Sequence, residues 1–533
     1  MILFLCKTIP LIILYLVASR KYVRNILLRF SFTPLFLISL SWLLYFLFLV
    51  GWYATSPLYI DHVEPNIANV TFFFLKGQPL YHSAIDPLRY SFPHGPMLYI
   101  SNGLFLQLLG PSIFSSKIGG IIAGALSLLF MFMLFRKDLG NRTGIILLGY
   151  LTWIYLNFAN TTFWNRSDSY ILFLVALSLL VLEGKKRIPT AVGLGLILGI
   201  VINFKIHTFL YLVPIYFIFY SRHGLKAAIL ALIPAIAVAV FPFLVFKNIN
   251  IIDYIGCLVV VSKHPLSYFM LAENLKMVFF YIFLPLSSGI LIFGERKKTI
   301  QLLKNNQKLI ILLSLTTLIL IYASAKEGGG IHHMIPLALI YVGLFSHVIT
   351  KTLADGKAKD TREDKPKIAG AMCVVYASLL WASFFASPIY YAKVMTFSSF
   401  KKDDQLAAKI YNDIRKIIDK YPQETMEMGY GGQYAYTYFR PMLTFYANAR
   451  HPLDAAALMH WQRTGYPFPT KAMEFLRDCR VKVFLIPKGG PPFQINNFFN
   501  PQEELFSEEF KKTFYQKYTL KESSQFYDIW ACK

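Results

Sequence analysis

The strongest constraint on this chain is a succession of apolar runs, separated by short gaps in which lysine and arginine are concentrated. A helix needs roughly 20 apolar residues to cross a bilayer. Backbone inside lipid must satisfy its own hydrogen bonds, so runs of this kind specify a bundle of helices. The basic gaps are Arg20-Lys21 with Arg24 and Arg29, Arg136-Lys137 with Arg142, Lys185-Lys186-Arg187, Arg222 with Lys226, and Arg296-Lys297-Lys298. Counted alternately from the run at 33–53, every basic cluster lands on one side, the positive-inside pattern. The count gives about eleven spans, or about twelve if the apolar residues 1–19 also cross. The net charge of +24 is thereby assigned to topology and to contact with anionic lipid headgroups. A nucleic-acid partner is not expected.

The spans are expected at 33–53, 112–135, 143–161, 169–183, 189–207, 208–221, 227–246, 276–294, 309–324, 334–350 and 368–388. Residues 93–110 and 247–275 read as cover lying along the membrane. After about residue 395 the composition turns soluble: 403–421 carries Leu406, Ile410, Ile414 and Ile418 on one stripe. Short strands are expected at 425–428, 481–486 and 526–530, with helical stretches near 434–448 and 470–479. The fold class is therefore a polytopic α-helical membrane protein with a small C-terminal α/β domain. Its divisions are an N-terminal apolar and basic segment (1–32), a membrane domain (33–390) and the soluble domain (391–533). Of five cysteines, Cys6, Cys257 and Cys373 fall in or near apolar runs and read as packing residues. Cys479 and Cys532 lie in the soluble segment, where a disulfide forms if that side is oxidising.

Five sets of residues on the non-basic side carry the chemistry. Asp61 and Glu64 follow directly on the first well-formed span, where a carboxylate pair is costly to hold without a task or a partner. Arg89 to Pro96, with His94, lies later in the same loop. Arg166 and Asp168 share a very short turn between two spans, Lys205 and His207 sit inside an apolar run, and Lys326, His332 and His333 flank three glycines. Each has a bland alternative: a helix cap for Asp61, a local ion pair for Arg166 and Asp168, snorkelling for Lys205, an ordinary loop for His332-His333. Gly429-Tyr-Gly-Gly432 reads as a turn after a strand rather than a phosphate loop.

The order of these sets along the chain resembles the GT-C superfamily of integral-membrane glycosyltransferases, nearest to bacterial relatives of protein O-mannosyltransferases and of the lipid A aminoarabinose transferase. The residues that carry the resemblance are Asp61 and Glu64, Gly77-Gln-Pro-Leu-Tyr81, Pro93-His-Gly-Pro-Met-Leu-Tyr99, Leu109-Gly110, Arg166-Ser-Asp168 and Asn203-Phe-Lys205. It covers about residues 33–350. Aminoarabinose-transferase relatives have a lysine before Pro-Pro where this chain has His94-Gly95.

The resemblance implies sugar transfer from a polyprenyl-phosphate donor to a glycan, lipid or protein acceptor, on the periplasmic face of a bacterial inner membrane. Such a donor carries its own leaving group, so the site needs a base and cations for the departing phosphate. Asp61 is the expected base, with inversion at the anomeric carbon; Glu64 and Asp168 orient the acceptor or a neighbouring base. Arg166, Lys205, His94, His207, Lys326, His332 and His333 are the expected substrate-binding residues. Any divalent cation, Mg2+ or Mn2+, would fall to the acidic residues, although no octahedral oxygen set is evident. The alternative is a transporter or flippase using the same charges as a substrate path; no inverted repeat is apparent to support it.

Overall fold

The computed structural model describes residue 26 and residues 32–82, 91–158, 162–353, 364–385, 397–449, 453–466 and 468–533. The segment 1–19, Cys6 and Arg89 lie outside the described residues. The membrane domain runs through α1 (Phe32–Thr55), α2 (Val63–Leu75), α3 (Pro96–Leu109), α4 (Ile113–Asn157), α5 (Ser167–Leu182), α6 (Arg187–Ile202), α7 (Phe209–His223) and α8 (Leu225–Val245). It continues through α9 (Ile251–Ser262), α10 (Tyr268–Phe293), α11 (Arg296–Asn305), α12 (Gln307–Ala323), α13 (Ile335–Leu353) and α14 (Asp364–Phe385).

The polytopic helical architecture is as expected, but the number of full-length spans is smaller. Among the described residues, six helical stretches are long and apolar enough to cross a membrane, or seven if α11 and α12, bent by 74°, count as one. The difference from about eleven has two physical sources. First, the runs expected at 112–135 and 143–161 are the two arms of one continuous stretch, α4, which counts once above although its helix breaks at Gly140, whose φ of 77° is open to glycine. Second, α5 and α6 have only 16 residues each and α7 has 15, too short for a perpendicular crossing. α5 is buried along most of its length, between α4, α6 and α13.

The soluble domain begins with α15 (Phe397–Lys420), followed by β1 (Thr425–Met428), α16 (Pro441–Tyr446), β2 (Asn448–Ala449), α17 (Ala455–Gln462), α18 (Thr470–Arg477) and β3 (Val483–Pro487). It ends with β4 (Asn496–Asn497), β5 (Asn500–Glu504), α19 (Glu508–Lys517), β6 (Tyr518–Ser523) and β7 (Tyr527–Cys532). The sheet order is β2-β1-β3-β7-β6: β1 is parallel to β2 and β3, and β7 is antiparallel to β3 and β6. Alternation along the strands sends Met426, Met428, Val483 and Leu485 against Ile410, Ile414 and Ile418 of α15. Phe484 and Ile486 face the other way, onto Leu458, Leu476, Phe510 and Phe514. A sheet covered on both faces is the economical way for so short a segment to bury its apolar residues. Cys479 and Cys532 are disulfide-bonded, tying the end of α18 to the last strand, while Cys257 is buried and free. The glycines at 429–432 form the turn after β1.

This domain sits on the short helix that follows Asp61. Thr444 Oγ1 donates to Asn69 Oδ1 at 2.8 Å, and the Phe72 and Phe445 rings lie 5.6 Å apart edge to face. Trp52 Nε1 and Ser56 Oγ donate to the two oxygens of Asp404 at 2.7 and 2.6 Å. The C-terminal domain is therefore anchored to the elements that carry the first acidic set.

Candidate active site

Asp61 lies just ahead of α2 and spends one oxygen on that helix: Oδ1 accepts from the backbone N–H of Val63 (2.9 Å) and Glu64 (3.1 Å). A short acidic side chain ahead of a helix satisfies its otherwise orphaned donors, so Asp61 does act as a helix cap, with one oxygen left for another partner. The other oxygen, Oδ2, accepts from Arg166 Nη1 at 2.7 Å. Arg166 precedes α5, and its Nε lies 3.5 Å from Asp168 Oδ2. Asp168 Oδ1 in turn accepts from Lys205 Nζ at 2.8 Å. The four residues make an alternating chain of charges, Asp61–Arg166–Asp168–Lys205, with side-chain exposures of 20, 14, 6 and 11 %. Ion pairs with so little water around them interact far more strongly than surface pairs.

Glu64 is fully buried. Its Oε2 accepts from the backbone N–H of Ile60 (2.7 Å) and Asp61 (3.3 Å), and Oε1 from Asn165 N–H (3.3 Å) and the Tyr53 hydroxyl. Glu64 therefore ties the loop bearing Asp61 to the loop bearing Arg166. Burial, then the Asp61 charge, push its carboxyl up to about 7.

Lys205 is brought in by a close backbone contact. The Gly95 N–H donates to the Phe204 carbonyl (2.9 Å) and Met97 N–H to the Asn203 carbonyl (3.1 Å). A Cβ on Gly95 would lie 2.0 Å from the Asn203 oxygen, so only glycine permits the approach. Pro96 then opens α3 at its first turn, where its missing N–H costs nothing. This contact sets His94 beside Lys205, and burial together with that ammonium pushes the imidazole down to about 3. The His94 carbonyl accepts from the Tyr81 hydroxyl at 2.7 Å.

His332 and His333, both buried, form the same wall. His333 Nδ1 lies 3.1 Å from His207 Nε2, and the His332 and His333 rings are 4.1 Å apart. Asp168, His332 and His333 offer ligand atoms within 4.8 Å of one another, the one group among the described residues that could hold a metal ion. Its mixed nitrogen and oxygen set is unlike the all-oxygen shell that Mg2+ or Mn2+ prefers. Two of the acidic residues, Asp61 and Asp168, are bridged by the Arg166 guanidinium. Lys326 Nζ donates to the Ser262 carbonyl at 2.6 Å, at an exposed position.

Two groups at the site were not singled out in the sequence. Lys117, a lone lysine in an apolar run, is buried beside Glu64; its signal was that isolation. His460 and Arg463 come from the far end of the chain. Arg463 Nη2 reaches the His460 ring (2.9 Å) and the Glu327 carbonyl (3.0 Å), and His264 stacks on His460 at 5.2 Å. His460 also meets Phe92 edge to face at 5.6 Å, closing the loop that carries His94. No short motif announced that contact.

A family model described as dolichyl-phosphate-mannose-protein mannosyltransferase matches residues 93–246. A search of curated protein sequences gives no match. Among solved structures, the chain is similar to ArnT from Cupriavidus metallidurans bound to undecaprenyl phosphate, with a TM-score of 0.50, 9% identity, and 92% of this chain and 98% of that one covered. The apo state of the same protein gives a TM-score of 0.50 at 12% identity, with the same coverage. The Archaeoglobus fulgidus oligosaccharyltransferase in complex with Zn and sulfate, at a TM-score of 0.31, 13% identity and 82% and 63% coverage, is too distant to argue from. The chain therefore shares the fold of ArnT over most of its length, and the family match spans the helices that carry Arg166, Asp168 and Lys205.

Proposed function

We propose that this protein transfers a sugar from a polyprenyl-phosphate-linked donor to a glycan, lipid or protein acceptor of the cell envelope, on the non-cytoplasmic side of a bacterial inner membrane. The observation that carries the reading is the water-poor chain Asp61–Arg166–Asp168–Lys205, which sets one base beside two cations. Asp61 takes the proton of the acceptor hydroxyl as that oxygen attacks the anomeric carbon. The bond between that carbon and the phosphate oxygen breaks, and the phosphate leaves with the electron pair, giving inversion. Arg166 and Lys205 face the charge that grows on the departing phosphate, where low local dielectric strengthens them. Asp168 keeps the two cations together against their mutual repulsion. The neutral imidazole of His94 supplies hydrogen bonding without further charge. ArnT, which shares the fold, is known bound to undecaprenyl phosphate, and a carrier of that kind explains why the chemistry is placed in a membrane. The Cys479–Cys532 disulfide favours an oxidising compartment for the C-terminal domain, and so for the Asp61 side of the membrane.

The test is mass spectrometry of envelope glycolipids and glycans from a deletion strain complemented with wild type or Asp61→Asn. Loss of a single sugar mass from one glycan, restored by wild type alone, identifies sugar and acceptor together. An unchanged glycan profile overturns the proposal and brings the transporter reading forward.

A further inference from the structure

Asp61 and Arg166 are held in register by a residue that the transfer step does not itself use. Lys117, at the start of α4, is fully buried. Its Nζ donates to the carbonyl oxygens of Tyr53 (3.0 Å), Ser56 (2.8 Å) and Leu58 (2.7 Å), and lies 4.3 Å from the centre of the Tyr53 ring. An ammonium has three protons to donate, and all three go to the last turn of α1 and the segment after it that leads into Asp61. Such a charge is tolerated in an apolar bundle when a counter-charge is near. The carboxylates whose charges act on it are Glu64 and Asp404, and Glu64 gathers the backbone N–H groups of Ile60, Asp61 and Asn165. Lys117 thus fixes one end of the Asp61 turn, and Glu64 ties the other to the Arg166 loop.

The same turn is gripped from the far end of the chain. Asp404, on the first helix of the C-terminal domain, accepts from Ser56 Oγ and Trp52 Nε1. Ser56 therefore holds Lys117 through its carbonyl and Asp404 through its hydroxyl.

We propose that Lys117, backed by Asp404, is a positioning residue of the transfer reaction. It holds the 53–61 turn so that Asp61 meets Arg166, and docking of the C-terminal domain completes that geometry. Lys117 touches no reacting atom. The inference rests on the transfer reading above, and it concerns residues whose only link to the chemistry is the segment between them.

The test uses full-length protein in lipid nanodiscs, with Lys117→Met and Asp404→Ala compared with wild type. Three quantities are read: kcat and KM for a polyprenyl-phosphate sugar, affinity for undecaprenyl phosphate, and hydrogen–deuterium exchange over 57–64. A misplacement of about 1 Å costs on the order of 100-fold in rate, so Lys117→Met is expected to lower kcat about 100-fold while donor KM stays within about threefold. Undecaprenyl phosphate affinity should hold, exchange over 57–64 should quicken, and Asp404→Ala should move the same readouts less. Unchanged kcat, or loss of undecaprenyl phosphate binding in step with kcat, overturns the inference. If Lys117→Met does not fold, Asp404→Ala decides by the same readouts. If wild type turns over no polyprenyl-phosphate sugar, the transfer reading alone has failed. Exchange then still decides, since faster exchange supports the positioning role and unchanged exchange overturns it.

Discussion

Arg166 Nη1 stands 2.7 Å from Asp61 Oδ2 while its Nε stands 3.5 Å from Asp168 Oδ2, so one guanidinium joins a carboxylate of the first outward loop to one of a later turn. The rigid planar fork presents Nη1 and Nε to the two carboxylates in a fixed geometry that the compact ammonium of a lysine does not reproduce. Arg166→Lys is expected to lose about 100-fold in transfer rate while keeping wild-type abundance, and Arg166→Met to lose more. Initial rates on purified protein check this; a fully active lysine variant would remove the bridging role.

Asp61→Asn keeps the Oδ1 acceptor that caps α2 but removes the basic oxygen that faces Arg166. The expected loss is roughly 10²- to 10⁴-fold in kcat, the usual worth of a general base. Folding should survive. Undecaprenyl phosphate binding measured alongside should be retained, which separates the loss from a collapsed site.

Asp168 is 4% exposed and pairs with both cations, whereas Lys326 reaches away to the Ser262 carbonyl. Removing the shared carboxylate strands two charges, so Asp168→Asn should destabilise by about 3–5 kcal/mol and abolish turnover. Lys326→Ala should leave stability within about 0.5 kcal/mol and leave donor KM unchanged. Thermal melts and donor titrations distinguish the two; a raised KM in Lys326→Ala would return that lysine to the substrate site.

The Cys479–Cys532 bond closes a loop of separation 53 across the soluble domain. Loop-closure entropy for that length puts its worth at about 4 kcal/mol. Cys479→Ser, or reduction, should lower the melting temperature of the C-terminal domain. Maleimide labelling of both cysteines should require prior reduction in protein taken from cells.

The neutral state of His94 carries a pH signature. Its imidazole is held at about 3, against an ordinary value of 6.5, first by burial and then by Lys205. Between those values the unfolded chain binds a proton that the folded chain refuses. The stability it supports is therefore complete above about pH 6.5 and declines as the pH falls toward 3. Melting temperatures from pH 7 down to 4 should show this decline, and His94→Gln should flatten it; an identical slope in the variant would rule out His94 as its source.

Much of this protein is legible from local sequence, because the signals involved are local. Apolar length and basic gaps specify a membrane bundle, period-2 and period-3.6 patterns locate the strands and α15, and isolated charges at the membrane surface mark Asp61, Arg166, Asp168 and Lys205. What local sequence could not supply was which apolar runs become full-length helices, since α5 and α6 end after 16 residues and α7 after 15. Nor could it say which charge meets which. Asp61 finds Arg166 across 105 residues, and Asp404 finds Ser56 across 348. Such pairings arise when buried polar groups compete for few partners in a packed interior, so the role of Lys117, the outward turn of Lys326 and the arrival of His460 were decided only by the tertiary structure.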